Sequence, residues 1–317
     1  MTFDFSAFQE NISLKECNTY RVGGNARYFF EAKDADALVS AVRYAHKNNV
    51  AYFILGGGTN ILIPDEGFSG VVIKAEHQRV DVQDDEIYAD AGIPMGALVA
   101  KAASLSLSGL EWASGLPGTL GGAIFGNAGS HGSEIKDTIS EIAVFDPIHN
   151  IVRRLSTREC DFRYRHSAFK DRGGVILGAT LALRKGDMAA IFARMKENMQ
   201  KRITHQPLAQ RSAGCVFKNI ELAASREGSE LARTHADFAA FRDARFLPAG
   251  LLVDKAGLKG ARAGGAMISD KHGNFIVNEA HATADDIMRL IGVAKDAVRE
   301  KFGVTLQEEI RIMRTSK

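Results

Sequence analysis

Ser114-Gly115-Leu116-Pro117-Gly118-Thr119-Leu120-Gly121-Gly122-Ala123-Ile124-Phe125-Gly126-Asn127-Ala128-Gly129 decides how this chain is read. Glycine recurs through the run, and no Lys or Arg occurs from Trp112 to Glu134. Glycine admits left-handed backbone angles and lets another molecule come close to the main chain. Free N–H groups of such a turn, or of a helix start behind it, form a nest for phosphate oxygens. With no cation in the run, a diphosphate bound there is expected to be held by peptide dipoles. Taken alone, the run reads equally well as a turn that packs tightly.

A second run upstream shifts the balance. The apolar segment Ala51 to Leu55 leads into Gly56-Gly57-Gly58-Thr59-Asn60-Ile61-Leu62, a strand followed by a glycine turn. The dinucleotide fingerprint G-x-G-x-x-G fails because Ile61 stands where its last glycine belongs. The Walker A pattern fails because no G-K-[ST] follows either run. Two glycine turns of this spacing suggest a dinucleotide pinned from two sides.

The bulk numbers narrow the partners. A chain of 317 residues buries a large core and divides into two or three units. Its net charge of +2 and scattered basic residues argue against nucleic acid or an anionic membrane. Cys17, Cys160 and Cys215 lie far apart, which fits a reducing compartment rather than a disulfide framework. The start, Met1-Thr2-Phe3-Asp4, has neither a basic n-region nor a long apolar stretch, and no 18-residue apolar window occurs. A cytoplasmic protein without metal is expected.

Periodicity gives the elements. Asp34 to Asn49 reads as an amphipathic helix with apolar Leu38, Val42 and Ala45. Strands follow at Ala51 to Leu55 and Gly70 to Lys74, making a βαββ order. Pro94 opens a helix to about Leu105, and strands are expected near Glu141 to Asp146, Ile151 to Leu155 and Gly174 to Arg184. Asp187 to Arg202 is helical, its stripe of Met188, Ile191, Met195 and Met199 reading as core. His205 to Arg211 is turn-rich and marks a boundary. Thr283, with Asp286 three residues on, starts the last helix. Val304 to Ile312 reads as a strand with Val304, Leu306, Ile310 and Ile312 on one face.

Together with Asn18-Thr19-Tyr20-Arg21-Val22-Gly23-Gly24, the two glycine runs resemble the UDP-N-acetylenolpyruvoylglucosamine reductase (MurB) family, in its shorter type II form. The similarity runs from about Asn18 to Met313. It implies an α+β chain: an FAD-binding fold of the vanillyl-alcohol-oxidase (PCMH) type in two subdomains, plus a smaller α/β substrate-binding domain. The implied division is 1–75 with the C-terminal strand 304–317, then 76–203, then 204–303. Members of that family use non-covalent FAD to pass a hydride from NADPH to the enolpyruvyl group of a UDP-sugar, then protonate the neighbouring carbon. A monomer is expected.

The resemblance also assigns residues. FAD would be held by Gly56, Gly57, Gly58, Thr59, Asn60, Ile61, Pro117, Gly118, Thr119, Gly121, Gly122, Asn127 and Gly129. Tyr164-Arg165-His166-Ser167 matches the Y-R-x-S motif, making Arg165 the arginine that grips the substrate carboxylate. Ser212-Ala213-Gly214-Cys215 matches the proton-donor segment, with Cys215 where a serine is usual; Ser212 is out of register. A thiol, with an ordinary pKa of about 8.5, can donate a proton and is open to oxidation. Leu306-Gln307-Glu308-Glu309-Ile310-Arg311 matches L-x-x-E-[VI]-R, which carries the acid to Glu309. The residue types alone do not separate Glu308 from Glu309. Tyr164, Lys218, Asn219, Lys259 and His272 resemble substrate-binding positions. The pattern departs at Ile220, where proline is usual, and the stretch from about Glu221 to Phe246 is longer than usual. Two rivals remain at this level: an oxidase of the same fold, with His131 as its one attachment point in the glycine loop, and a flavin or UDP-sugar binder without catalysis.

Overall fold

The computed structural model describes residues 5–314. Strands Gln9–Ser13, Asn25–Ala32, Phe68–Ala75 and Tyr52–Leu55 lie side by side in that order, the first pair antiparallel and the others parallel. Parallel neighbours need a crossover, and helix Ala35–Lys47 supplies it. Asp34 caps that helix by accepting the Ala37 amide at 2.7 Å, and Leu38, Val42 and Ala45 are buried beneath it. The βαββ order therefore holds, with one antiparallel strand added in front.

A second, all-antiparallel sheet orders its strands Ile151–Ser156, Ile139–Asp146, Val175–Ala182, Glu86–Asp90 and Val80–Gln83. Helices Met95–Ser104 and Leu120–Gly126 bury Leu98, Leu120 and Ile124 in a core shared with Ile87, Ile142 and Leu181 of its strands. A third body gathers Val216, Phe217, Phe238, Leu252 and Ile276 around helix Ala284–Phe302. Thr283 accepts the Asp286 amide and Asp286 accepts the Thr283 amide, closing the capping box. Among the described residues, no helix is long and apolar enough to cross a membrane.

Two expectations need correction. On helix Met188–His205 only Ile191 of the stripe is fully buried, and Met195 packs half-buried on the second core. Met188 and Met199 are exposed, because the helix meets the core along a narrow seam beside residues 111–113. The final strand is also shorter. Only Arg311–Ile312 forms a ladder, parallel to Ile61–Leu62, with a lone bridge at Glu308 to Phe217. Val304, Leu306 and Ile310 remain buried in the third core, while Met313 enters a core with Leu55 and Ile63. A segment serving two cores cannot keep one ladder along its length.

The long stretch after Ile220 closes on itself. Ile220–Glu221 pairs with Phe246–Leu247, and helix Arg226–Thr234 with the turn Ala236–Phe241 lies between. Phe238 is fully buried and meets Phe302 edge-on at 5.2 Å. Such a ring contributes roughly 1.5–3 kcal/mol by burial, which anchors the excursion to the last helix.

Candidate active site

The two glycine turns touch. A Cβ on Gly57 would stand 2.8 Å from Gly118 Cα, one on Gly56 2.5 Å from Thr119 Oγ1, and one on Gly118 2.7 Å from Thr59 Oγ1. Gly58 (φ 62°) and Gly118 (φ 104°) are left-handed. The amides of Gly57, Gly58 and Thr59 donate to no group among the described residues. The helix start behind the second turn is not free in the same way. Leu120 N donates to Ile93 O, Gly121 N to Ala91 O, and Gly122 N to Thr119 Oγ1. The nest expected at that helix is therefore spent on the protein, and the open amides lie in the first turn.

Side chains in the cofactor set divide accordingly. Ile61 is buried in its ladder with Arg311, and Pro117 is exposed. Asn127, left-handed at φ 42°, spends its amide nitrogen on Glu134 and the Arg163 carbonyl. Gly129 O accepts Arg165 Nη1 at 3.0 Å, and Asn60 O accepts the Arg311 amide. Cations absent from the run itself do arrive from elsewhere. The Arg311 guanidinium stacks on Phe53 at 4.4 Å and Phe125 at 5.0 Å. The Arg202 stem is 3.2 Å from where a Gly115 Cβ would stand.

Arg165, Cys215 and Glu309 converge. Arg165 Nε lies 2.6 Å from Glu309 Oε1, with both side chains largely buried. Glu309 N donates to Val216 O at 2.7 Å, next to Cys215. Burial raises the Glu309 pKa above its ordinary value, and the charges of Arg165, Lys170 and Lys218 oppose that rise without cancelling it. Cys215 is half-buried as a residue, but its sulfur is closely surrounded; burial first, and then Glu309, push the thiol up to about 12. The thiol stays protonated at neutral pH, and its openness to oxidation falls with the scarcity of thiolate. Glu308 points to another partner, Lys295 Nζ at 2.9 Å, so the two adjacent acids are told apart.

The cysteine segment is clasped by Asn274, which is 2 % exposed. Its Oδ1 accepts the Phe217 amide and its Nδ2 donates to the Phe217 carbonyl, each at 2.8 Å. Tyr164 accepts the Asn219 amide at its hydroxyl, 3.2 Å, and its ring stacks on Phe246 at 4.3 Å, so the long excursion borders the site. Asn219 Oδ1 accepts the Ala249 amide, 3.1 Å. Lys218 is near enough to bear on Glu309 and Lys170. Lys259 instead pairs with Asp254 at 2.7 Å, beside His272. Burial, and then Lys259, lower the His272 pKa, and its Nδ1 accepts the Asn274 amide. Lys259 and His272 thus form a separate cluster, joined to the first through Asn274. His131, the attachment point of the oxidase reading, sits in the exposed turn between Ser130 and Ser133.

Whether these residues suit a flavin can be tested on polar atoms that the protein leaves unpaired. Arg202 is 7 % exposed, yet its Nε and Nη2 have no partner among the described residues; Trp112 Nε1 and Ser114 Oγ are also buried without one there. Buried donors seldom go unmet. Arg202 lies by the glycine loop and near Cys215 and Arg165. A ring with carbonyl acceptors placed there would satisfy it, and the open amides of the first turn suit a diphosphate. The residues fit FAD. Reading the sequence alone gave no role to Arg202, Arg311, Asn274 or Lys170, although Arg311 ends the quoted L-x-x-E-[VI]-R match.

Gly57→Ala is expected to weaken FAD binding about 10-fold or more, because its methyl meets the Gly118 backbone and overpacking of this kind costs about 1–3 kcal/mol. Flavin fluorescence titration of the apoprotein measures it. An unchanged dissociation constant would separate the two turns from cofactor binding.

Comparison with known proteins identifies the family. Residues 26–153 match the FAD binding domain family, and residues 206–313 match the family described as UDP-N-acetylenolpyruvoylglucosamine reductase, C-terminal domain. The UDP-N-acetylenolpyruvoylglucosamine reductase of Caldanaerobacter subterraneus subsp. tengcongensis is 37% identical over 96% of this chain and 92% of its own length. That of Clostridium novyi is 36% identical over 98% of this chain and 93% of its own. The crystal structure of UDP-N-acetylenolpyruvylglucosamine reductase (MurB) from Thermus caldophilus superposes with a TM-score of 0.77 at 31% identity, covering 97% of this chain and all of that one. Relatives this similar over nearly the full length of both chains show that the chain belongs to the UDP-N-acetylenolpyruvoylglucosamine reductase family.

Proposed function

We propose that this chain reduces the enolpyruvyl ether of UDP-N-acetylglucosamine to UDP-N-acetylmuramate for peptidoglycan synthesis, with NADPH as reductant and non-covalent FAD, as a cytoplasmic monomer. The observation that carries the reading is the contact of Arg165 with Glu309 beside Cys215, three groups from separate parts of the chain. The division into residues 1–75 with 304–317, 76–203 and 204–303 belongs to the same reading.

Bound FAD would supply the hydride chemistry between NADPH and the enolpyruvyl group. The amides of Gly57 to Thr59 would hold its diphosphate, and Arg202 would donate to its acceptor atoms. Arg165 binds the substrate carboxylate and offsets the enolate charge that develops. Glu309, whose pKa burial raises, lies beside that carboxylate, where its protonated form would donate a hydrogen bond. Cys215 supplies the proton to carbon. Tyr164, Lys218 and Asn219 line the approach of the UDP-sugar, with Lys259 and His272 at its far side.

Anaerobic stopped-flow absorbance tests the reading. NADPH should bleach the flavin, and the enolpyruvyl substrate should restore its colour without oxygen. Recolouring by oxygen alone would replace the reading with an oxidase, and failure to bleach would leave a binding protein.

A further inference from the structure

Arg165 adopts φ 53°, a left-handed backbone that L-residues other than Asn and Asp rarely take. It sits at the tip of a two-residue turn closed by Arg163 N to His166 O and His166 N to Arg163 O, both 3.1 Å. Such a conformation persists only where the surroundings over-determine it. Ser167 pins the base of the turn by donating to Phe125 O at 2.7 Å. The backbone of Arg165 itself is gripped by Lys170, whose Nζ donates to the Arg165 carbonyl at 2.8 Å.

Lys170 belongs to the short helix Phe169–Arg172 that follows the turn. The residue as a whole is exposed, and its ammonium lies over the Phe125 ring, 5.7 Å from the centroid. The charged groups bearing on it are Lys218 from the cysteine segment, Glu309 and Arg311 from the C-terminal segment, and Arg165 from the turn. Glu309 is thus influenced by three cations, Arg165, Lys170 and Lys218.

We propose that Lys170 is a positioning residue for the reduction: its charge-assisted bond to the Arg165 carbonyl keeps the turn wound so that the guanidinium meets Glu309 and the Gly129 carbonyl. The proposal rests on the reading of Arg165 as the group that binds the substrate carboxylate. Burial, and then the neighbouring cations, bring the Lys170 pKa down to about 8. The charge is present below that pH and fades above it, leaving an amine whose hydrogen bond is roughly half as strong.

The test compares Lys170→Met and Lys170→Arg in the holoenzyme. Lys170→Met should slow flavin reoxidation by substrate about 10- to 30-fold, as expected for a displaced binding group, while flavin reduction by NADPH changes less than about 2-fold. Lys170→Arg should restore most of the rate, and the alkaline fall near pH 8 should move upward. Lys170→Met removes a cation that holds the Glu309 pKa down, whereas Lys170→Arg keeps one there, so the limb is assigned from Lys170→Arg alone. In an Arg165→Met background, Lys170→Met should add nothing further.

A full Lys170→Met effect in that background, or an identical alkaline limb in Lys170→Arg, would overturn the proposal. So would equal loss in both half-reactions. If Arg165→Met alone leaves reoxidation unchanged, the reading of Arg165 fails and takes this proposal with it. A damaging Arg165→Met beside a harmless Lys170→Met removes Lys170 alone.

Discussion

Cys215→Ala leaves reduction of the bound flavin by NADPH nearly intact and slows its reoxidation by the enolpyruvyl substrate about 10³-fold. General acid catalysis contributes typically 10²–10⁴, and Cys215 is the donor proposed beside the Arg165–Glu309 pair. A thiol pushed up to about 12 is a weaker acid than a free one, but it is fully protonated at neutral pH. Its proton goes to a strongly basic carbon centre, so a loaded donor matters more than an acidic one. The small side chain removed leaves Asn274 and its two bonds to Phe217 in place, so the segment should keep its shape. Cys215→Ser should recover to within about 10-fold, since a hydroxyl can donate from the same position. Single-turnover stopped-flow of each half-reaction separates the steps. Equal slowing of both would indicate collapse of the site, and an unslowed second step would pass the role to another group such as Ser212.

Much of this arrangement was legible in residue order, for reasons that differ by element. The turns at Gly56–Gly58 and Gly118–Gly122 announce themselves because few local structures need so many residues without Cβ. Helices Ala35–Lys47 and Ala284–Phe302 follow from periodicity and caps over three or more turns. The segment Val304–Ile312 keeps its alternation yet not its ladder, because pairing depends on neighbours that sequence does not name. Lys170 and Arg202 were illegible for a simpler reason. Lysine and arginine are ordinary surface residues, and only the fold shows that one holds a left-handed carbonyl and the other is buried with two nitrogens unmet. The thiol of Cys215 was legible as a position, whereas its raised pKa depends on the crowd around it.

Arg165→Met should lower the rate of substrate-dependent reoxidation about 10²- to 10³-fold, the loss typical of removing one group that stabilises a developing oxyanion. Arg165→Lys should recover little of it. One ammonium cannot reach both the Gly129 carbonyl and Glu309, which the guanidinium meets through Nη1 and Nε. The two variants also separate charge from position through pH. Burial raises the Glu309 pKa, and Arg165 is the largest influence holding that rise back. The protonated carboxyl is present below that pKa and is lost as pH climbs through it, so reoxidation falls on the alkaline side. Without Arg165 the pKa climbs further, and the fall should move to higher pH although the plateau is far lower. Glu309→Gln should abolish that limb, because an amide does not titrate, and should keep a donor near the substrate carboxylate. Reoxidation rates measured from pH 5 to 9 read both effects at once. A limb that stays fixed in Arg165→Met would mean the ion pair between Arg165 and Glu309 does not govern the protonation on which this step depends.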